Sequence, residues 1–274
     1  MSIRKSRRQE EIRHYVYEQG QATVAELCER FEASEATIRR DLDELAGDGV
    51  LRRTHGGAMR VGPATPEPPI FQRAHEHARC KASIGRAAAE LIADGETVFL
   101  GSGSTVLAVA HHLKQRRELT VISNSLPVIN LLANVPGISV VVLGGLLRQS
   151  ELSMIGHITE QAVTELRADK VIMGIRAVHL KQGLTNDFLP ETMTDRTIVR
   201  LSPQIILVAD HTKFGQISTA FVAPITAVDT VVTDSLVATE TVATLTEAGI
   251  RVIVAEEAEP SVVHLLSENK SMLD

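Results

Sequence analysis

The chain of 274 residues is 44% hydrophobic and 23% charged, with a formal net charge of −6. That balance excludes a disordered polyelectrolyte and a protein wrapped in nucleic acid over its whole surface, but leaves room for one small DNA-binding module. Two cysteines, Cys28 and Cys80, are too few for a disulfide scaffold or a thiolate metal cluster; with a charged N-terminus and no long apolar run they predict a cytoplasmic protein without a membrane span.

Residues 1–60 hold 11 basic and 11 acidic side chains, so the 17 basic and 23 acidic residues that follow account for the entire −6. The early cations are clustered: Arg4, Lys5, Arg7 and Arg8, then Arg39 and Arg40, then Arg52 and Arg53. Apolar spacing of Ile12, Tyr15 and Val16 predicts a helix from about Ser6 to Gln19, stopped by Gly20. Thr23 with Glu26 three residues on has capping-box spacing and opens a short helix through Val24, Leu27 and Phe31. Ser34 caps the next, on which Ile38, Leu42 and Leu45 recur at helical spacing and which Gly49 ends. Two short segments around Gly56 and Gly57 then predict a β-wing. VGPATPEPP, residues 61–69, has four prolines in nine positions and predicts a stiff linker. The expected domains are therefore 1–60, the linker 61–69, and 70–274.

Beyond the linker the rhythm changes. Buried strands are predicted at 97–100, 119–123, 138–145, 170–175, 204–210, 229–234 and 251–255, and helices at 78–92, 105–115, 126–134, 156–168 and 237–248. β-branched runs alternating with helices predict an α/β domain, a mostly parallel sheet covered on both faces. The stretch 211–228 fits poorly and reads as a loop or an added edge element.

A short capped helix followed closely by a second is the outline of a helix-turn-helix, whose second helix, here from Ser34 to about Gly47, enters the major groove. Glu35, Ala36, Thr37 and Arg40 then approach base edges. Arg39 and Arg40, about 100° apart around the helix, cannot both point into the groove, so one meets a phosphate. Arg52, Arg53 and His55 place cations on the wing. The run over residues 25–58, with Ser34, Thr37, Ile38, Arg39, Arg40, Asp41, Leu42, Leu45, Gly49, Leu51, Arg53, His55, Gly56, Gly57 and Ala58, resembles the winged helix-turn-helix of the DeoR/GlpR family of bacterial transcriptional regulators. The resemblance implies binding to double-stranded operator DNA, with Ser34, Thr37, Arg39, Arg40, Arg52, Arg53 and His55 as contact residues.

In the second part, Gly101, Ser102, Gly103, Ser104 and Thr105 stand between a predicted strand and a helix start, where backbone amides and hydroxyls can cradle a phosphate or carboxylate. The loop is neither a P-loop nor a GxGxxG fingerprint. Ser123 and Asn124, Gly144 and Gly145, and Lys213 fall at other strand ends, the rim where open parallel sheets collect ligands. This half resembles the same family's effector domain, Rossmann-like and related in fold to ribose-phosphate isomerase. The resemblance implies a small phosphorylated sugar or polyol effector and no cofactor. Asp195 stands where the family often has lysine, which disfavours a doubly charged phosphate nearby; Arg176, His179, Asp187 and Glu191 are candidates for sugar hydroxyls instead. Two rival readings remain: a sugar-phosphate isomerase-like enzyme with Glu191 or Asp187 as base, and a DNA-binding protein without a ligand switch. Neither His111/His112 nor His75/His77 has a metal-ligand spacing. A repressor on repeated half-sites is expected to be a homo-oligomer, dimer or tetramer, with helix 70–92 and the tail around Val262, Val263, Leu265 and Leu266 as assembly surfaces.

Overall fold

The computed structural model describes residues 3–19, 21–47, 51–54, 56–60 and 68–256. Contacts divide the chain into two units, Met1–Pro66 and Glu67–Asp274. The division falls within the expected linker, of which 61–67 lie outside the described residues, as does the 262–266 tail.

The first unit runs α1 (Ile3–Gln19), β1 (Gln21–Thr23), α2 (Val24–Phe31), α3 (Glu35–Gly47), β2 (Leu51–Thr54) and β3 (Gly57–Arg60). The capping box forms: the Thr23 hydroxyl accepts from the Glu26 amide at 3.2 Å while the Thr23 amide donates to the Glu26 carboxylate at 2.7 Å. Ser34 caps α3 by accepting from the Thr37 amide. Ile12, Val16, Leu27, Ile38, Leu42, Leu45 and Leu51 close one core. The wing is three-stranded, in the order β1-β3-β2. Its close packing explains Gly57: a Cβ there would stand 2.0 Å from the Ala22 carbonyl oxygen.

The second unit runs α4 (Ile70–His75), α5 (Ala78–Ala89), β4 (Thr97–Leu100), α6 (Ser104–Leu113), β5 (Leu119–Ser123), α7 (Leu126–Leu132), β6 (Ile138–Val142), β7 (Leu146–Arg148), β8 (Ser153–Ile155), α8 (His157–Thr164), β9 (Lys170–Met173), β10 (Ala177–His179), β11 (Gly183–Asn186), α9 (Leu189–Ile198), β12 (Ile205–Val208), β13 (Ala220–Ala223), β14 (Thr230–Asp234), α10 (Thr239–Glu247) and β15 (Arg251–Ala255), with 3-10 turns at His211–Lys213 and Ile225–Ala227. Seven strands form a parallel sheet in the order β15-β14-β12-β9-β4-β5-β6. Alternation divides the central strands between two cores: Val171, Met173 and Leu207 join one, Ile172, Ile206 and Val208 the other. Burial on both faces is why these runs read as continuously apolar.

Every predicted strand and helix is present within a few residues. The predicted 78–92 helix ends at Ala89, and the wider 70–92 segment is two helices, broken where His77 adopts φ 51°. Ile70, Ala74, Ala82, Ile84 and Ala88 turn inward, so this segment buries its apolar face within its own unit. The 211–228 stretch contributes β13, an edge strand of a separate antiparallel sheet, β10-β11-β13, and β7 and β8 form a further hairpin.

Candidate functional site

On α3 the predicted DNA-contact residues have different local roles. Arg40 is exposed and Thr37 half-buried. Arg39 is exposed and donates to Glu35 one turn back, at 2.9 and 2.6 Å. Ser34 and Thr37 share a hydroxyl contact of 2.8 Å at the helix start. Asp41 is buried to 1% exposure and accepts from Arg8 at 2.6 Å, so it joins α3 to α1. Lys5 similarly reaches Glu44 at 2.6 Å. Lys5 and Arg8 of the N-terminal cluster therefore tie α1 to α3, and Arg7 pairs with Glu11 along α1 at 3.0 Å. Arg53 donates to Asp43 on α3 at 2.7 Å and to the Gly57 carbonyl, bracing the wing. His55 and the Arg52 side chain lie outside the described residues.

In the second unit the chain winds outward in both directions from the adjacent strands β4 and β9, which opens a crevice at their carboxyl ends. A cavity of about 240 Å³ occupies it. Gly101, Ser102, Gly103, Ser104 and Thr105 line it, as do Arg176, Glu191 and Lys213. Gly103 adopts φ 111°, a region that glycine enters without strain, and passes the chain from β4 into the first turn of α6. Asp210, at the strand end that carries Lys213, and Asp195 also line the cavity; strand-end reasoning missed Lys81, Arg73, Glu151 and Asn186, which line it too.

Six predicted effector residues are absent from the lining; of these, His179 accepts through Nδ1 from the Lys181 and Gln182 amides at 3.2 and 3.1 Å. Ser123 donates to the Leu100 carbonyl at 2.7 Å, and Asn124 to the Met154 carbonyl at 2.9 Å. The Gly144 carbonyl accepts from Thr159, and a Cβ at Gly145 would stand 2.1 Å from that hydroxyl. Ser123, Asn124, Gly144 and Gly145 stand at the carboxyl ends of β5 and β6, outside the cavity lining. Asp187 pairs with Arg176 at 3.4 Å behind the wall.

The cavity is polar and electrically mixed. Lys81 donates to the carbonyls of Arg73 and Glu76; burial pulls its ammonium down to about 8, against the pull of Asp210. Burial works to raise Asp210, but the Thr212 hydroxyl, Lys213 and Lys81 outweigh it and hold the carboxyl below its ordinary range. Asp195 goes the other way: burial pushes it up to about 7, although Asn186 donates to it at 2.5 Å and Arg148 is near. Buried pairs Arg73–Glu151 and Arg148–Glu191 complete the surround. One region thus presents backbone amides, hydroxyls and two ammonium groups; another presents carboxylates and an amide.

A winged helix-turn-helix joined to a parallel-sheet unit with a polar cavity at its switch point defines a two-unit transcriptional regulator. A family model described as a DeoR-like helix-turn-helix domain matches residues 8–63, and one described as the DeoR C terminal sensor domain matches residues 76–235. The chain belongs to the DeoR family of DNA-binding transcriptional regulators. It is 38% identical to the transcriptional repressor AccR of Agrobacterium fabrum, over 77% of this chain and 83% of that one. It is 34% identical to the glycerol-3-phosphate regulon repressor of Escherichia coli, over 85% of this chain and 92% of the relative. Among solved structures, ribose 5-phosphate isomerase A of Methanocaldococcus jannaschii aligns at 18% identity and a TM-score of 0.37, covering 49% of this chain and 53% of that one.

Proposed function

We propose that the protein represses a carbohydrate-utilisation operon and is controlled by a small phosphorylated sugar or polyol bound in the second unit. The observation that carries this reading is the cavity wall, where the Gly101–Thr105 loop at the α6 N-terminus shares one enclosure with Lys81 and Lys213, and with Asn186, Glu191 and Asp195. Amides and ammonium groups suit the phosphate; carboxylates and an amide suit sugar hydroxyls. A volume of about 240 Å³ suits a sugar phosphate. Asp195, pushed up to about 7 by burial and so about half protonated at neutral pH, opposes an anion in the same cavity less than an ordinary carboxylate would.

Operator DNA meets the Ser34–Gly47 helix, with Thr37, Arg39 and Arg40 nearest the bases and the wing on the flanking backbone. The protein acts in the cytoplasm as a homo-oligomer, dimer or tetramer. Exposed apolar side chains support this assembly: Ile158, Leu189, Met193 and Phe221 stand on α8, α9 and β13, where α9 packs on both of the others, and Leu146 stands on β7, whose partner β8 packs on α8 and α9. Light scattering on the purified chain tests it, and a monomer at micromolar concentration overturns it.

The test of the effector is operator retention titrated with sugar and polyol phosphates and their unphosphorylated parents, glycerol 3-phosphate first because a relative is named for its regulon. A phosphorylated compound that alone shifts retention supports the reading. Retention indifferent to every compound favours a DNA-binding protein without a ligand switch, and steady turnover abolished by Glu191→Gln favours an isomerase-like enzyme.

A further inference from the structure

Beside the cavity, but outside its lining, three potential metal ligands converge. Cys80 is on α5, His211 opens the 3-10 turn after β12, and Asp234 ends β14. Because β12 and β14 are neighbours in the sheet, their carboxyl ends bring His211 and Asp234 together, and α5 packs over both strands. One ligand atom from each of the three residues lies within 4.8 Å of the other two.

The carboxylate is fixed in place. One Asp234 oxygen accepts from the His211 amide at 2.8 Å, and the other from the Leu236 amide at 3.0 Å. The latter oxygen also meets His211 Nδ1 at 2.9 Å. The His77 ring packs edge-on against that of His211, with centroids 5.2 Å apart. Thiolate, imidazole and carboxylate together make a donor set for zinc and its neighbours, with bonds of about 2.0–2.3 Å. Such bonds set ligand atoms about 3.3–3.6 Å apart, so binding would part His211 Nδ1 and Asp234 by about 0.5 Å, exchanging their hydrogen bond for bonds to the metal, and would draw the half-buried Cys80 in by about 1 Å. Three protein ligands leave a fourth position for water or His77.

We infer that Cys80, His211 and Asp234 form a binding site for a divalent transition metal of the zinc class. A Cys-His-Asp grouping also invites comparison with a nucleophilic triad, but the charges oppose that use. Burial and the carboxylates of Asp234 and Asp210 keep the Cys80 thiol protonated, whereas a nucleophile needs the thiolate stabilised. The same carboxylates attract a divalent cation. On binding, the thiol proton leaves to solvent and the sulfur–metal bond takes its place. The metal would tie α5 to the turn that carries Lys213, and Lys81 follows Cys80 directly, so two cavity cations stand on the metal-linked elements.

The test uses the full-length chain without a histidine tag, stripped of metal and titrated with cobalt(II), then with zinc against a chromogenic chelator. The expected result is one metal per chain, a thiolate-to-cobalt charge-transfer band in the near ultraviolet, and zinc affinity weakened at least about 100-fold by Cys80→Ser. His211→Ala should weaken it comparably, while Cys28→Ser, in the other unit, leaves it unchanged. Absence of the cobalt–thiolate band in the wild-type chain, or undiminished zinc affinity in Cys80→Ser, overturns the assignment. Far-ultraviolet circular dichroism of each variant separates loss of the site from loss of the fold.

Discussion

Arg39 and Arg40 are neighbours with different obligations. Arg39 is paired with Glu35 on an exposed helix face, an i,i+4 contact worth about 0.3–0.5 kcal/mol, so the guanidinium can turn to DNA at little cost. Replacing either arginine with alanine should weaken operator binding by about 1–3 kcal/mol in fluorescence anisotropy, with the first unit still folded. Arg53→Ala should instead lower that unit's melting temperature, because it breaks the Asp43 and Gly57 contacts; an unchanged melting temperature with lost DNA binding would return Arg53 to the contact surface. Asp195 carries a pH signature. Its folded value of about 7 lies above its ordinary 3.8, so its stabilising contribution is complete below about pH 4 and is lost as pH rises through 7. Asp195→Asn removes that slope and should stabilise the second unit at pH 8 by on the order of 2–4 kcal/mol relative to wild type, with little gain at pH 4. Denaturation at the two pH values checks the sign; an equal effect at both rules out the buried acid. A bound phosphate ester should likewise lose affinity between pH 6.5 and 8.5, and less so in the asparagine variant.

At the scale of elements, the glycine pair in the wing separates packing from loop exposure. Gly56→Ala adds a methyl to open space, whereas Gly57→Ala drives one against the Ala22 carbonyl where β1 and β3 pair. The first should be near neutral. The second should destabilise by about 1–3 kcal/mol, read as melting temperature, and equal effects would remove the close-approach explanation. The same contact explains what the sequence could not announce. Gln21–Thr23 has no strand pattern of its own and becomes β1 because β3 supplies the partner. The long buried strands and the capped helices were legible, since apolar runs and capping residues are local signals. Helix α9 showed no apolar periodicity because its inward face includes Glu191, Thr192 and Thr194, polar side chains buried beside the cavity. Buried cations such as Lys81 and Arg73 carry no signal in the sequence for the same reason. The loop at Gly101–Thr105 was visible as a strand–helix junction at the sheet's rim. The β5 and β6 ends carried similar residues, yet strand order decided which ends meet the crevice. The grouping of Cys80, His211 and Asp234 leaves no spacing to find, because its members are contributed by a helix, a turn and a strand far apart in the chain.

For the whole molecule, the charge division constrains how ligand and operator communicate. The first 60 residues are neutral overall with exposed arginines, and the remainder carries the −6. A phosphorylated effector adds further negative charge to the acidic part, so plain electrostatic repulsion is one way for it to weaken DNA binding. A shift between two arrangements of the units is another. Salt separates them. Phosphate contacts make operator affinity fall steeply with salt whatever the effector does. Long-range repulsion fades as the screening length shortens below about 10 Å above 0.1 M salt, whereas a conformational coupling does not depend on it. The two-state reading therefore predicts that the ratio of operator affinities with and without the sugar phosphate stays constant between about 0.1 M and 0.3 M salt, while both affinities drop. Linkage adds a second requirement: saturating operator must change sugar-phosphate affinity, measured by calorimetry, by the same factor and in the same direction. A ratio that collapses toward one as salt rises would assign the switch to charge alone. A constant ratio matched by the reciprocal measurement would place it in a coupled rearrangement of the reading head and the cavity.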